Sequence, residues 1–114
     1  RQRQMCIRDR AVAANEKANP DIHSFTGRVV SGDQFISDKA KKEWLIGQFS
    51  ASCTEMEGAA IAQAAYLNGI PFLIIRAISD KADDSAGMDY AAFEAQAIKH
   101  SVNLLLEMAS RYEA

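Results

Sequence analysis

Residues 71–79 constrain the fold more than any other stretch. They are nearly all apolar and rich in branched side chains, broken by Arg76, as in a strand covered on both faces. Two further strand candidates precede it. Residues 25–31 contain Val29 and Val30 and stop at Gly32-Asp33, a strand followed by a turn. Residues 52–56 form a short strand candidate. Helical patterns lie between and after. Residues 38–49 place Trp44, Leu45 and Phe49 on one stripe, with Ser37 as cap and Asp38 in the first turn. Residues 57–68 are Ala-rich, and Gly69 stands where a left-handed C-terminal cap belongs. Residues 80–87 read as a polar loop. Residues 89–112 read as a long helix with Tyr90, Phe93, Ala97, Leu104, Leu105 and Met108 roughly on one side. Strand then helix, three times over, predicts an α/β fold with a mixed or largely parallel central sheet flanked by helices.

The start of the chain does not fit this pattern. Residues 1–10 hold four Arg and one Asp, net +3, and show no helical or strand period. They read as a non-native segment and are set apart from residues 11–114. The end of a helix is expected over the short, Ala-rich residues 11–18, stopped by Asn19-Pro20. The whole chain of 114 residues has a net charge of -2 and 25% charged residues. That balance offers no electrostatic reason for a nucleic-acid partner or an anionic membrane surface. No apolar run approaches the roughly 18 residues of a membrane span. Cys6 and Cys53 have neither a disulfide framework nor metal-site spacing, which suits a reducing cytoplasm. His23 and His100 stand alone, so no metal is expected.

In open α/β sheets, ligands bind beyond the carboxyl ends of strands. Three such ends are rich in functional groups: Ser31-Gly32-Asp33-Gln34-Phe35-Ile36, Thr54-Glu55-Met56-Glu57 and Arg76-Ala77-Ile78-Ser79-Asp80. The glycines match neither dinucleotide nor P-loop spacing. Each residue also has a plain structural reading. Thr54 and Glu57 fit a capping box. Arg76 can pair with Glu55, Phe35 can anchor a core, and Asp80 and Asp83 can be loop solvation.

Taken jointly, Val30-Ser31-Gly32-Asp33-Gln34-Phe35-Ile36, Glu55-Met56-Glu57-Gly58-Ala59-Ala60 and Ile75-Arg76-Ala77-Ile78-Ser79-Asp80 resemble the nucleoside phosphorylase superfamily. Within it they resemble most the methylthioadenosine/S-adenosylhomocysteine nucleosidases. The resemblance runs from about Ala11 to Tyr112. It implies hydrolysis of the N-glycosidic bond between adenine and a 5'-thioribose, without a cofactor. By the same resemblance Asp80 is the general acid that protonates adenine N7, oriented by Ser79. An ordinary aspartate is ionised at neutral pH, so burial or the ligand has to bring that proton. Glu57 corresponds to the acceptor for the ribose 2'- and 3'-hydroxyls, Met56 to an apolar surface under the sugar, and Phe35 to the ring stacked on adenine. The Ile36 backbone would read the purine edge, Tyr90 would close the other face, and Arg76 would stand near the attacking water.

The family's water-activating carboxylate and Gly-rich loop belong to an N-terminal half. The chain is therefore expected to be the C-terminal half of such a domain, truncated at the N-terminus. The resemblance also implies a purine thionucleoside substrate and a cytoplasmic homodimer at full length. Two alternatives stay open: a purine nucleoside phosphorylase or other purine nucleoside hydrolase of the superfamily, and a non-catalytic adenine-binding or dimerisation module.

Overall fold

The computed structural model describes residues 2–78 and 90–112. The chain divides into two units, Arg1–Phe25 with Met88–Ala114, and Thr26–Gly87.

The first unit is a pair of helices, α1 (Gln2–Ala18) and α4 (Tyr90–Tyr112). The helix end expected over residues 11–18 is present, and the helix itself starts at Gln2. Residues 2–10 lack a hydrophobic period, but they contain neither Gly nor Pro, and Gln, Arg and Met are good helix formers. Ala11, Ala14 and Leu104 are buried here, and alanine lets the two backbones approach closely. Asn19 ends α1 and is almost wholly buried. Its amide nitrogen donates to Asn15 Oδ1 at 2.9 Å and to the His100 carbonyl at 2.9 Å. Its oxygen accepts from Asn103 Nδ2 at 3.3 Å. A buried amide that is fully paired carries little desolvation penalty. His100 Nε2 lies 2.9 Å from Asp21 Oδ2.

The second unit contains a two-stranded parallel sheet, β1 (Arg28–Ser31) and β2 (Ala51–Glu55), joined through α2 (Lys39–Phe49) and followed by α3 (Gly58–Leu67). The strand–helix alternation and the parallel pairing are those read from the sequence. The cap of α2 is not: Asp38 rather than Ser37 is the N-cap, accepting from the Ala40 and Lys41 amides at 3.2 and 3.3 Å. Ser50 takes the left-handed conformation (φ 52°) and turns the chain from α2 straight into β2. Gly69 takes φ +66° after α3, and the Gly69 and Ile70 amides donate to the Tyr66 and Ala65 carbonyls at 3.1 and 2.9 Å. That is the expected glycine termination, with two of the helix's orphan carbonyls satisfied.

The expected third strand is not formed. Residues 71–78 join no ladder among the described residues, and Ile75 and Ile78 are exposed. An apolar run carries the composition of a covered strand, but pairing and cover come from other segments. No described helix is long and apolar enough to cross a membrane.

Candidate functional site

The register of the sheet creates the site. Ser31 stands opposite Glu55 at the carboxyl ends of β1 and β2, and Gly32 N donates to the Glu55 carbonyl at 3.2 Å. α3 begins three residues beyond Glu55, so its unpaired amides point back toward that strand end. The Glu55 carboxylate fills this position. Its Oε1 and Oε2 accept from Gly58 N at 2.9 and 2.7 Å, and Oε2 also accepts from Glu57 N at 3.0 Å. The Ser31 hydroxyl bonds to the same carboxylate, while its oxygen accepts from Ala59 N at 3.0 Å. Gly58 makes this possible: a Cβ there would lie 2.5 Å from Glu55 Oε1. The capping box that Thr54 and Glu57 could have formed is therefore replaced. Glu57 makes no side-chain cap bond, and Glu55 supplies the cap.

Arg76 closes the cluster. Its Nη2 lies 3.0 Å from Glu55 Oε2 and 2.8 Å from Glu57 Oε2. Only 6% of the Glu55 side chain is exposed, against 66% for Glu57. Burial pushes the Glu55 carboxyl upward and is its largest single influence. The Glu57 amide, the Ser31 hydroxyl, the Gly58 amide and the Arg76 charge together outweigh it and hold Glu55 below the usual range. Glu55 is therefore an anion in the folded chain near neutral pH. Glu57 Oε2 also accepts from Met56 N at 3.2 Å, whereas Oε1 takes no bond from the described residues.

The other residues singled out from the sequence fall into three groups. Met56 follows directly on this strand end and is exposed. Phe35, 77% exposed, and Ile36 belong to the loop after β1. Ile36 lines an open-sided cleft of about 450 Å3 with Ser31, Asp33, Lys41, Leu45 and Thr54. That cleft shares Ser31 with the carboxylate cluster but is not lined by Met56, Glu57 or Arg76. Ser79 and Asp80 lie outside the described residues, as does the side chain of Tyr90, whose backbone opens α4. No group of acidic, His or Cys side chains able to hold a metal is present among the described residues.

Sequence reading did not assign roles to Ser31 and Glu55 as a pair. The available signal was a Glu three residues ahead of a helix-opening Gly, and the neighbouring Thr54-x-x-Glu57 pattern obscured it.

The family model of the phosphorylase superfamily matches residues 4–110. The chain belongs to the phosphorylase superfamily. Among relatives of this superfamily chain are the 5'-methylthioadenosine/S-adenosylhomocysteine nucleosidases of Geobacillus kaustophilus (strain HTA426) and Treponema pallidum (strain Nichols). They are 43% and 44% identical over 90 residues, covering 78% and 77% of the chain but 38% and 34% of the relatives. The aminodeoxyfutalosine nucleosidase of Helicobacter pylori (strain ATCC 700392 / 26695) is 42% identical over 82 residues, 72% of the chain and 36% of the relative. The superfamily chain thus spans well under half the length of these relatives. No solved structure gives a significant match to it.

Proposed function

We propose that the full-length polypeptide hydrolyses the N-glycosidic bond of 5'-methylthioadenosine and S-adenosylhomocysteine, releasing adenine and the 5'-thioribose product. The observation that carries this reading is the end of β2. An exposed acidic side chain, Glu57, is held at one oxygen by Arg76 and Met56 N, and its other oxygen takes no bond from the described residues. In a chain similar to named nucleosidases, that is the geometry a ribose diol requires, because a carboxylate oxygen accepts two hydroxyl protons. A carboxylate beside the sugar also favours the positive charge of an oxocarbenium-like transition state.

The remaining roles follow from the same reading. Asp80, oriented by Ser79, gives a proton to adenine N7 as the bond breaks, because adenine leaves poorly as an anion. Phe35 stacks on the purine, the Ile36 backbone reads its edge, and Tyr90 covers the other face. Met56 lies under the ribose and Arg76 stands near the attacking water. The carboxylate that activates the water comes from the N-terminal half of the domain. The enzyme acts without metal or cofactor as a cytoplasmic homodimer that salvages methionine and clears nucleosides, with neither nucleic acid nor membrane as partner.

The similarity to an aminodeoxyfutalosine nucleosidase supports a second substrate of the same kind, another nucleoside cleaved at its glycosidic bond. The test is adenine release by the full-length polypeptide from methylthioadenosine, S-adenosylhomocysteine and aminodeoxyfutalosine, each with and without phosphate. Release independent of phosphate is expected for the first two. Strict phosphate dependence would move the assignment to a nucleoside phosphorylase, and turnover of aminodeoxyfutalosine alone would replace the substrate.

A further inference from the structure

Glu55 takes part in none of the chemistry described above, yet it is the most heavily bonded acidic side chain of the second unit among the described residues. One nitrogen of Arg76 is shared between Glu55 Oε2 at 3.0 Å and Glu57 Oε2 at 2.8 Å. An arginine facing one carboxylate prefers to engage both of its oxygens. Here one guanidinium nitrogen serves two anions, and among the described residues Glu57 is engaged at Oε2 only. Glu55 itself cannot swing toward a ligand, since Gly58 N, Glu57 N and Ser31 hold it at the start of α3 and its side chain is 6% exposed.

We propose that Glu55 is a positioning residue that acts through Arg76: by sharing the guanidinium, it keeps Arg76 from closing over both oxygens of Glu57 and so leaves Oε1 free for the sugar hydroxyls. The inference rests on the sugar-binding reading of Glu57. It separates Glu55 from a mere helix cap, because a cap influences the whole site through stability, whereas this role concerns only contacts with the sugar diol.

The test uses the full-length polypeptide and two ligands, methylthioadenosine and its 2',3'-dideoxy counterpart, the latter as a competitive inhibitor. Glu55→Gln removes the charge that draws Arg76. The KM for methylthioadenosine should rise about ten- to a hundredfold, the span expected for hydrogen bonds to a charged group. The inhibition constant of the dideoxy compound should stay within about threefold. Gly58→Ala is the second variant. Its Cβ would meet the Glu55 carboxylate, the far end of a flexible side chain, and push it aside with its charge intact. It should give the same hydroxyl-dependent pattern, and it decides the matter if Glu55→Gln does not fold. Equal weakening of both ligands, or no weakening of methylthioadenosine, would overturn the positioning role alone. A wild-type enzyme that turns over no thionucleoside would overturn the functional reading and this inference with it.

Discussion

Glu55 and Glu57 are two residues apart and differ tenfold in exposure, 6% against 66% of the side chain. Burial and three hydrogen-bond donors make Glu55 part of the framework, while Glu57 faces outward with one oxygen that takes no bond from the described residues. Replacing Glu57 by Gln should therefore leave the melting temperature nearly unchanged, since an ion pair this exposed contributes little and no cap bond is lost. On the proposed reading turnover should fall, because the variant takes the negative charge away from the sugar. A Gln variant as active as wild type would remove Glu57 from the site. On the proposed reading, Asp80→Asn in the full-length polypeptide keeps the size and removes the proton donor. Turnover should drop about 10²–10⁴-fold, the usual contribution of general acid catalysis, and a variant of near-normal turnover would make Asp80 a loop residue. The two thiols differ as well. Burial, opposed by Arg76 and aided by Glu55, raises the Cys53 thiol above its ordinary value, while Cys6 is exposed. Thiolate is the reacting form, so iodoacetamide should label Cys6 well before Cys53 at neutral pH, as peptide mass analysis with time would show.

At the scale of elements, ends matter more than interiors. α2 has no buried residue, so its start depends on Asp38, whose carboxylate accepts two backbone amides. Asp38→Ala should cost about 1 kcal/mol, read as a shift in the denaturation midpoint; no shift would mean that α2 is held by packing instead. The joint between α1 and α4 carries a pH-sensitive contact. The His100 hydrogen bond, foremost among several influences, holds the Asp21 carboxyl below its ordinary value. A lowered carboxyl stabilises the fold above its unfolded-state value, about 3.9, and this is lost as pH falls through the lower folded value. The Asp21→Asn variant should thus be slightly less stable than wild type at pH 6, with the gap closing toward pH 2. Melting curves across that range would show it, and a gap that does not vary with pH would rule out the pairing. The caps also show how far local spacing can be read. Gly69 was recognisable because only glycine enters the left-handed region freely. Asp38 and Ser37 are adjacent and both suit a cap, so the choice between them falls to the entry angle of the chain.

At the scale of the molecule, buried apolar residues are few. Ala11, Ala14 and Leu104 are the buried hydrophobics among the described residues, whereas Trp44, Ile46, Ile61, Leu67, Leu105 and Leu106 are all more than half exposed. At about 25 cal/mol per Å2, so much uncovered apolar surface favours association. The 114-residue chain by itself should elute as an oligomer and release no adenine from methylthioadenosine. A monodisperse, active monomer would show that the strand ends described above form a complete site. The uncovered residues agree with a chain that spans 38% of its Geobacillus kaustophilus relative.

The sequence alone determined what depends on neighbours along the chain: the alternation of strands and helices, the glycine stop after α3, the long final helix, and the motifs that resemble a nucleosidase. Periodicity and turn chemistry act over a few residues, so they are written in spacing. Tertiary structure decided what depends on distant partners. It left residues 71–78 without a ladder among the described residues and set Ser31 beside Glu55 through the parallel register. It also chose Glu55 over Glu57 as the cap of α3, because a buried carboxylate is stable only where amides and a cation converge on it, and Arg76, which supplies the cation, lies some twenty residues further along the chain.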